Sequence, residues 1–333
     1  MPRVSLIIVN WNAGELIKKT LSAIKNQTYP IEEVIVVDNA STDSSADDLE
    51  KCCPGVKVVR LNENIGFAAA NNYAARLVAD ECNWIALLNP DAIPETAWLE
   101  SLVDAVKKYP EYAFLGSRLL MTNEPANIDG TGDIYHVSGL VWRNGHGIKA
   151  DASEAELTEI FSPCAAAALY RRDAFVEANG FDDDFFCYVE DVDLGFRLRL
   201  LGYRCLYVPE SVVHHVGSAT TGSHHSDFAV YHGHRNLVWT YVKNMPGLLF
   251  WLFLPLHLAL NFVTCIYFLW MGQGRIIFRS KRDALKGLAQ MWRKRRSIQS
   301  CRHASVMDIW RALDKSILLN LSKTNLWFYK GVK

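Results

Sequence analysis

Three groups of acidic and imidazole side chains in this 333-residue chain have the type and spacing to do chemistry. Asn89-Pro90-Asp91 follows the apolar run WIALL. A carboxylate at the exit of a buried strand is held rigidly, and there it can ligate Mg²⁺ or Mn²⁺, whose charge neutralises a diphosphate. Glu190, Asp191 and Asp193 open an expected helix that Gly202 closes. Acids in a first helical turn suit the positive end of the helix dipole; the chemical alternative is that one of them points into a cleft as a general base toward a hydroxyl. His214-His215 follows an expected strand over 208–213 and precedes the small-residue run GSATTGS. An imidazole there either completes a metal site beneath a mobile loop or stands in solvent. His224, His225, His232 and His234 show no ligand spacing.

Positioning such groups is the work of the elements between them. The first 120 residues alternate β-rich runs (4–9, 33–37, 56–61, 84–88) with amphipathic helical stretches (13–25, 44–51, 67–78), the pattern of a parallel sheet with crossover helices. Such a sheet binds its ligands outside the carboxyl ends of its strands. The polar residues at those ends are 10–12, 38–43, 62–66 and 89–91, and four consecutive ends rich in Asn and Asp point to one shared site. Residues 128–149 are Gly-rich and read as hairpins or loops, followed by a strand over 165–170 and a helix after Arg172.

A formal net charge of −1 argues against a nucleic-acid binder, which needs a strong excess of Lys and Arg. The eight cysteines are scattered without C-x-x-C spacing, which suits a reducing compartment. The apolar run near the N-terminus is too brief for a signal peptide, so the chain is expected in the cytoplasm. Residues 247–271 contain no Asp, Glu, Lys or Arg and are long enough to cross a hydrocarbon layer. Directly after them comes a basic cluster, from Arg275 to Arg302, with Asp283 as its only acid. One straight span would set that cluster on the side opposite a cytoplasmic site, against the positive-inside tendency. A re-entrant or interfacial helical pair, broken near Pro255 or around Asn261, is therefore expected.

The motifs SLIIVNWN (5–12), VVDNASTD (36–43), NENIGFAAANN (62–72), LLNPDA (87–92), GFDDDFFCYVEDVDLGFRLRLLG (180–202) and HHVGSAT (214–220) resemble, in order and spacing, the family 2 glycosyltransferases of GT-A fold, in particular their bacterial rhamnosyltransferase-like branch. The resemblance implies an α/β fold with a Rossmann-like, mostly parallel sheet and flanking helices, plus C-terminal membrane-associated helices. It implies a catalytic domain over 1–240, with a nucleotide-sugar half to 120 and an acceptor half beyond, followed by a membrane-associating tail over 241–333. Carried over by position, Val9, Asn10, Asn12, Asp38, Asn64, Gly66, Asn71 and Asn89 would line the nucleotide-sugar pocket. Asp91 and His215, preferred to His214, would hold Mg²⁺ or Mn²⁺, and Asp191, beside Glu190, would be the catalytic base. Asn89 stands where many members have the first Asp of D-x-D, and Cys164-Ala165 where relatives often have a Gly beside the acceptor.

The implied reaction is an inverting transfer from a nucleotide-diphosphate sugar, with dTDP-rhamnose favoured, to a polyprenyl-diphosphate-linked or surface glycan. Its place would be the cytoplasmic face of the bacterial inner membrane, in contact with membrane lipid. A nucleotidyltransferase would want a basic phosphate loop after the first strand, which VNWNAGE does not offer. The intact Asp91, Glu190 and Asp191 speak against a protein that only binds its sugar nucleotide.

Overall fold

The computed structural model describes residues 1–150, 156–217 and 226–316. The first four strands, β1 (Val4–Asn10), β2 (Glu33–Asp38), β3 (Val56–Arg60) and β4 (Trp84–Leu88), run parallel in the order β4-β1-β2-β3. Every side chain of β1 and β4 is buried, as a strand covered on both faces requires. Helices α1 (Leu16–Lys25), α2 (Leu49–Cys52) and α3 (Phe67–Ala75) make the connections. The helix expected over 44–51 is instead a 3-10 turn, Ser44–Ala46, and the single turn of α2. The Asp43 carboxylate caps the Ser45 N–H, and Asp48, at φ 56°, breaks the helical path between them.

The later strands are β5 (Ala92–Pro94), β6 (Tyr112–Met121), β7 (Ile128–Gly130), β8 (Asp133–Tyr135), β9 (Val141–Arg143), β10 (Thr158–Glu159), β11 (Ala167–Arg171) and β12 (Arg204–His215). Here β11 inserts antiparallel between β4 and β6, while β12 runs parallel to β6. Because Ala167 pairs with Leu88, the start of β11 lies beside the end of β4. Residues just before β11 therefore reach the same edge of the sheet as the polar strand ends. One apolar layer packs under α1 and α4 (Trp98–Lys108), the other under α3, α5 (Arg172–Glu177) and α6 (Glu190–Leu200).

Five more helices follow: α7 (Asp227–Asn244), α8 (Gly247–Trp270), α9 (Gly274–Lys286), α10 (Leu288–Ser300) and α11 (Val306–Ala312). They share a third core with α6 and the β8–β9 hairpin, centred on Tyr135, Phe185, Phe196, Trp239 and Tyr241. Residue 240 lies inside α7. The expected break near Pro255 or Asn261 is absent, since α8 is a single helix of 24 residues. Pro255 sits on its exposed side, and Asn261 and Thr264 bond back to the carbonyls of His257 and Leu260, an i−4 pattern that a continuous helix accommodates.

Candidate active site

At the ends of β1 to β3 the polar residues are wired to one another. Asn10 is fully buried, and its amide nitrogen donates to Asp38 Oδ1 (3.0 Å), Ser45 Oγ (2.9 Å) and Ser41 Oγ (3.1 Å). Asn10 thus braces the wall on which the half-buried Asn12 stands. The Asn12 carbonyl accepts from the backbone of Thr42 at 2.7 Å. Asn39 donates to Asn64 Oδ1 (2.8 Å), which also accepts from the Gly66 N–H (2.9 Å). Gly66, at φ +87°, admits no side chain, since a Cβ there would stand 2.7 Å from the Phe186 carbonyl. Val9 and Asn71 are buried behind this rim, Asn71 donating to the Phe67 carbonyl. Asn12 and Asn64 form the rim itself, and Asp38 is buried beneath it with Asn10.

The antiparallel pairing of β5 with β12 sets His215 opposite Ala92, next to Asp91. His215 Nε2 lies 3.5 Å from Asp91 Oδ1, and Nδ1 donates to Asp129 Oδ2 at 2.8 Å. His214, one residue earlier and so on the opposite face, meets Glu95 instead. Asp129 also accepts from Arg143 Nη1 at 2.8 Å. Burial pushes the Asp129 carboxyl up, but Arg143, His146 and His215 overcome it and hold it well below the usual range. Burial alone would lower His215; its two carboxylate neighbours outweigh that and raise it to about 9.

These residues fit a divalent cation. Asp91 and His215 Nε2 offer one carboxylate and one imidazole on rigid strands, and Asp129 orients the imidazole from behind, as carboxylates do at histidine–metal sites. A cation there would take the place of the proton that the two carboxylates favour on His215. Two residues before Asp91, the buried Asn89 Oδ1 has no hydrogen-bond partner among the described residues. Among the described residues no three His, Cys, Asp or Glu side chains form a closed metal cage. Mg²⁺ and Mn²⁺ share their coordination with phosphate oxygens and water, so one carboxylate and one imidazole can serve either.

The third group opens α6. Asp191 is half-buried; its Oδ2 accepts from the Ala165 N–H at 3.1 Å and its Oδ1 from the Val192 N–H at 2.8 Å. Burial raises the Asp191 carboxyl, opposed by the Ala165 N–H and Arg143. Asp133, which the sequence had not singled out, is buried and pushed up to about 8 by burial and by Asp191. Glu190 is buried and raised well above its ordinary range, chiefly by burial and next by Asp191, and its Oε2 has no hydrogen-bond partner among the described residues. Of these three acids Asp191 alone is both accessible and supplied with hydrogen bonds that favour its ionised form, which is what a base needs.

The segment 164–166 joins the groups. Arg143 Nη2 reaches Cys164 Sγ (3.0 Å), Asp191 takes the Ala165 N–H, and the Ala166 carbonyl accepts from the Asn89 N–H (2.9 Å). Through Arg143, Asp129 and His215, that segment connects to Asp91. Asp91 and Asp191 therefore lie at the same edge of the sheet.

Asp191 is aimed by a strained approach. Phe186, Tyr188 and Val189 all have φ between 65° and 68°, unusual for bulky residues. The segment is held from α7: Asn236 Nδ2 donates to the carbonyls of Phe185, Cys187 and Tyr188 at 2.8 to 3.0 Å, and Arg235 to those of Asp184 and Phe185. Below it, the buried Lys243 pairs with Asp182 and Asp193, and Lys294 of α10 with Asp182 and Asp184. The run 218–225, including His224 and His225 and most of the expected lid, lies outside the described residues.

Comparison with known proteins bears on this site. The family model described as "Glycosyl transferase family 2" matches residues 5–177. The N-acetylglucosaminyl-diphospho-decaprenol L-rhamnosyltransferase of Mycobacterium tuberculosis is 26% identical over 256 residues, covering 68% of this chain and 80% of the relative. The O-antigen chain rhamnosyltransferase RfbN of Salmonella typhimurium is 27% identical over 225 residues, covering 64% of this chain and 66% of the relative. The solved structure of the mannosyltransferase PcManGT from Pyrobaculum calidifontis, in complex with GDP-Man and Mn²⁺, aligns at a TM-score of 0.54 and 18% identity over 93% of this chain and 86% of that one. This last likeness is one of fold, and the fold is GT-A.

Proposed function

The chain belongs to glycosyl transferase family 2, and from that premise we propose that it moves a sugar from a nucleotide diphosphate to an acceptor hydroxyl by a single, inverting displacement. The observation that carries this reading is the common edge shared by the Asp91–His215 pair and the base candidate Asp191, joined through Arg143 and residues 164–166. Asp38, Asn12 and Asn64 orient the nucleotide at the parallel strand ends. Asp191 takes the acceptor proton as the hydroxyl attacks the anomeric carbon, and its raised proton affinity makes it a stronger base. Burial and the neighbouring Asp191 raise both Glu190 and Asp133, which favours their neutral forms and lessens the negative charge beside Asp191. When bound at Asp91 and His215, Mg²⁺ or Mn²⁺ supplies the positive charge that the departing diphosphate needs.

The donor we favour is dTDP-rhamnose and the acceptor a polyprenyl-diphosphate-linked glycan, worked on at the cytoplasmic face of the bacterial inner membrane. Two named rhamnosyltransferases among the relatives support the sugar, and the diphospho-decaprenol in the name of one supports the acceptor. Incubating the protein with Mn²⁺ or Mg²⁺ and a panel of nucleotide sugars tests this. Metal-dependent hydrolysis of dTDP-rhamnose above all others is the expected result; preference for another donor moves the sugar assignment, and no turnover of any donor removes the enzyme reading.

A further inference from the structure

Helix α8 is built inside out. Its polar residues His257, Asn261 and Thr264 lie on the buried side, while Leu248, Trp251, Leu252, Phe262, Ile266 and Trp270 are each more than half exposed. Spacing by the helical period puts all of these exposed residues on one side of the helix and the buried ones on the other. No polar side chain interrupts the exposed side between Leu248 and Trp270. At ~1.5 Å per residue, the apolar strip runs the whole length of a 24-residue helix. Water-facing helices have the reverse pattern, and monomers rarely leave so long an apolar face uncovered.

The buried side is fastened along its whole length. Near the start, Phe250 accepts the Tyr241 hydroxyl on its carbonyl and packs edge-on to Trp292. At mid-helix His257 Nδ1 donates to the Ser138 carbonyl (2.8 Å) and its ring stacks on Tyr241 at 4.0 Å. One turn on, Asn261 accepts from Lys281 of α9 at 2.6 Å, and near the end Phe268 is buried against Val230 and Ile277. A helix bonded from end to end to the β8–β9 hairpin, α7, α9 and α10 cannot stand across a bilayer without drawing those polar elements into the hydrocarbon.

We infer that α8 lies in the plane of a membrane surface, its exposed apolar side sunk into one leaflet and its polar side holding the catalytic domain. The occupant of this face is an anionic lipid surface. On the adjoining α9, Arg275, Arg279, Arg282 and Lys286 are exposed around Phe278 and Leu285, also exposed, with Asp283 the one acid among them. Basic side chains around apolar ones match the negative headgroups and acyl chains of a leaflet, whereas a second copy would face the same positive charge. An in-plane helix also removes the conflict with the positive-inside tendency, because the basic cluster and the site then share one side. This deepens the membrane placement proposed above and does not depend on the sugar donor.

Flotation with phosphatidylcholine vesicles containing phosphatidylglycerol tests it. Binding is expected, weakened by salt and by omitting phosphatidylglycerol, and reduced at least about tenfold in Leu258→Glu/Phe262→Glu, whose wild-type side chains are exposed. Leu258→Ser, with circular dichroism on each variant, separates lost binding from lost fold. Sidedness is read with Arg275→Cys, in a background where the exposed Cys52 and Cys301 are Ser. An impermeant maleimide added outside intact proteoliposomes should label this position on the same side as the catalytic domain. Protection until detergent is added overturns the in-plane arrangement in favour of a span. A soluble dimer by sedimentation that ignores vesicles overturns the lipid assignment in favour of self-association. In either case retained donor hydrolysis leaves the transferase reading standing, and its loss in the wild-type protein condemns that reading separately.

Discussion

The two ends of the site are held in different ways. At the donor end, Asn10, Asp38, Asn39 and Asn64 fix one another within about one strand-turn unit of the ends of β1 to β3, and each sits where a parallel strand stops. At the base end, Asp191 rides on a segment with three positive φ angles, and what holds that segment comes from α7 and α10, up to 112 residues away in sequence. The donor end is a property of the sheet. The base end is a property of the packing between the sheet and the C-terminal helices, which hold the segment leading to the proposed base Asp191.

Replacing the base should break the comparison most severely. Asp191→Asn keeps the shape but removes the proton acceptor, so kcat should fall about 10³-fold while the dissociation constant of the nucleotide sugar stays within a factor of a few. Single-turnover assay beside equilibrium titration checks this, and unchanged turnover takes Asp191 out of the base role. Next comes Asp91→Ala at the donor end. With only His215 left of the proposed metal-holding pair, metal-dependent turnover should drop about 10²-fold and the loss should show in the metal concentration needed for half-maximal rate. A variant whose metal response matches wild type would place the cation elsewhere.

The same contrast explains what could be read from the sequence. Strands β1 to β4 and their Asn- and Asp-bearing ends are legible because a short apolar β-rich run, a turn and a crossover helix are local signals. Asp91 is marked by its place at the end of an apolar strand, whereas the choice of Asp191 among its acidic neighbours and of His215 over His214 rests on resemblance, and the structure shows the reason for the last in the alternation of β12. Asp129, Asp133 and Arg143 were passed over because the Gly-rich 128–149 stretch reads as loop. The available clue is two acids and an arginine within sixteen residues of one Gly-rich stretch. Arg235 and Asn236 had no local clue, since a polar pair inside a helix is ordinary until its partners, fifty residues away, are known. The continuous course of α8 through Pro255 was hidden for a similar reason: packing, and not propensity, decides it.

Asn236→Ala sharpens the comparison by loosening the base end alone. The half-buried Cys187 and Tyr188 carbonyls lose this donor, while that of Phe185 keeps Arg235 and the Cys187 N–H, so unfolding free energy should fall by about 1–3 kcal/mol. Below the unfolding range, kcat should drop about tenfold with the KM for the donor little changed, because the rim at β1 to β3 does not touch Asn236. A loss that appeared in KM for the donor instead would show that the two ends are not independently held.

The smallest effect should come from Asp133, and it is a matter of pH. Its carboxyl is pushed up to about 8 in the fold by burial and by Asp191, whereas in the unfolded chain it ionises near ~3.9. Between those values the folded protein holds a proton that the unfolded chain has released. Folding therefore takes up a proton, and this residue's contribution to stability is greatest at low pH, shrinks as pH rises toward 8 and is level above. Asp133→Asn keeps a neutral group of the same shape at every pH. Its melting temperature should match wild type near pH 4 and exceed it by a few degrees at pH 8, read by calorimetry across that range. Parallel melting profiles for the two proteins would mean that Asp133 shares no proton balance with Asp191, and the argument that neutral neighbours leave Asp191 free to act as base would lose its footing.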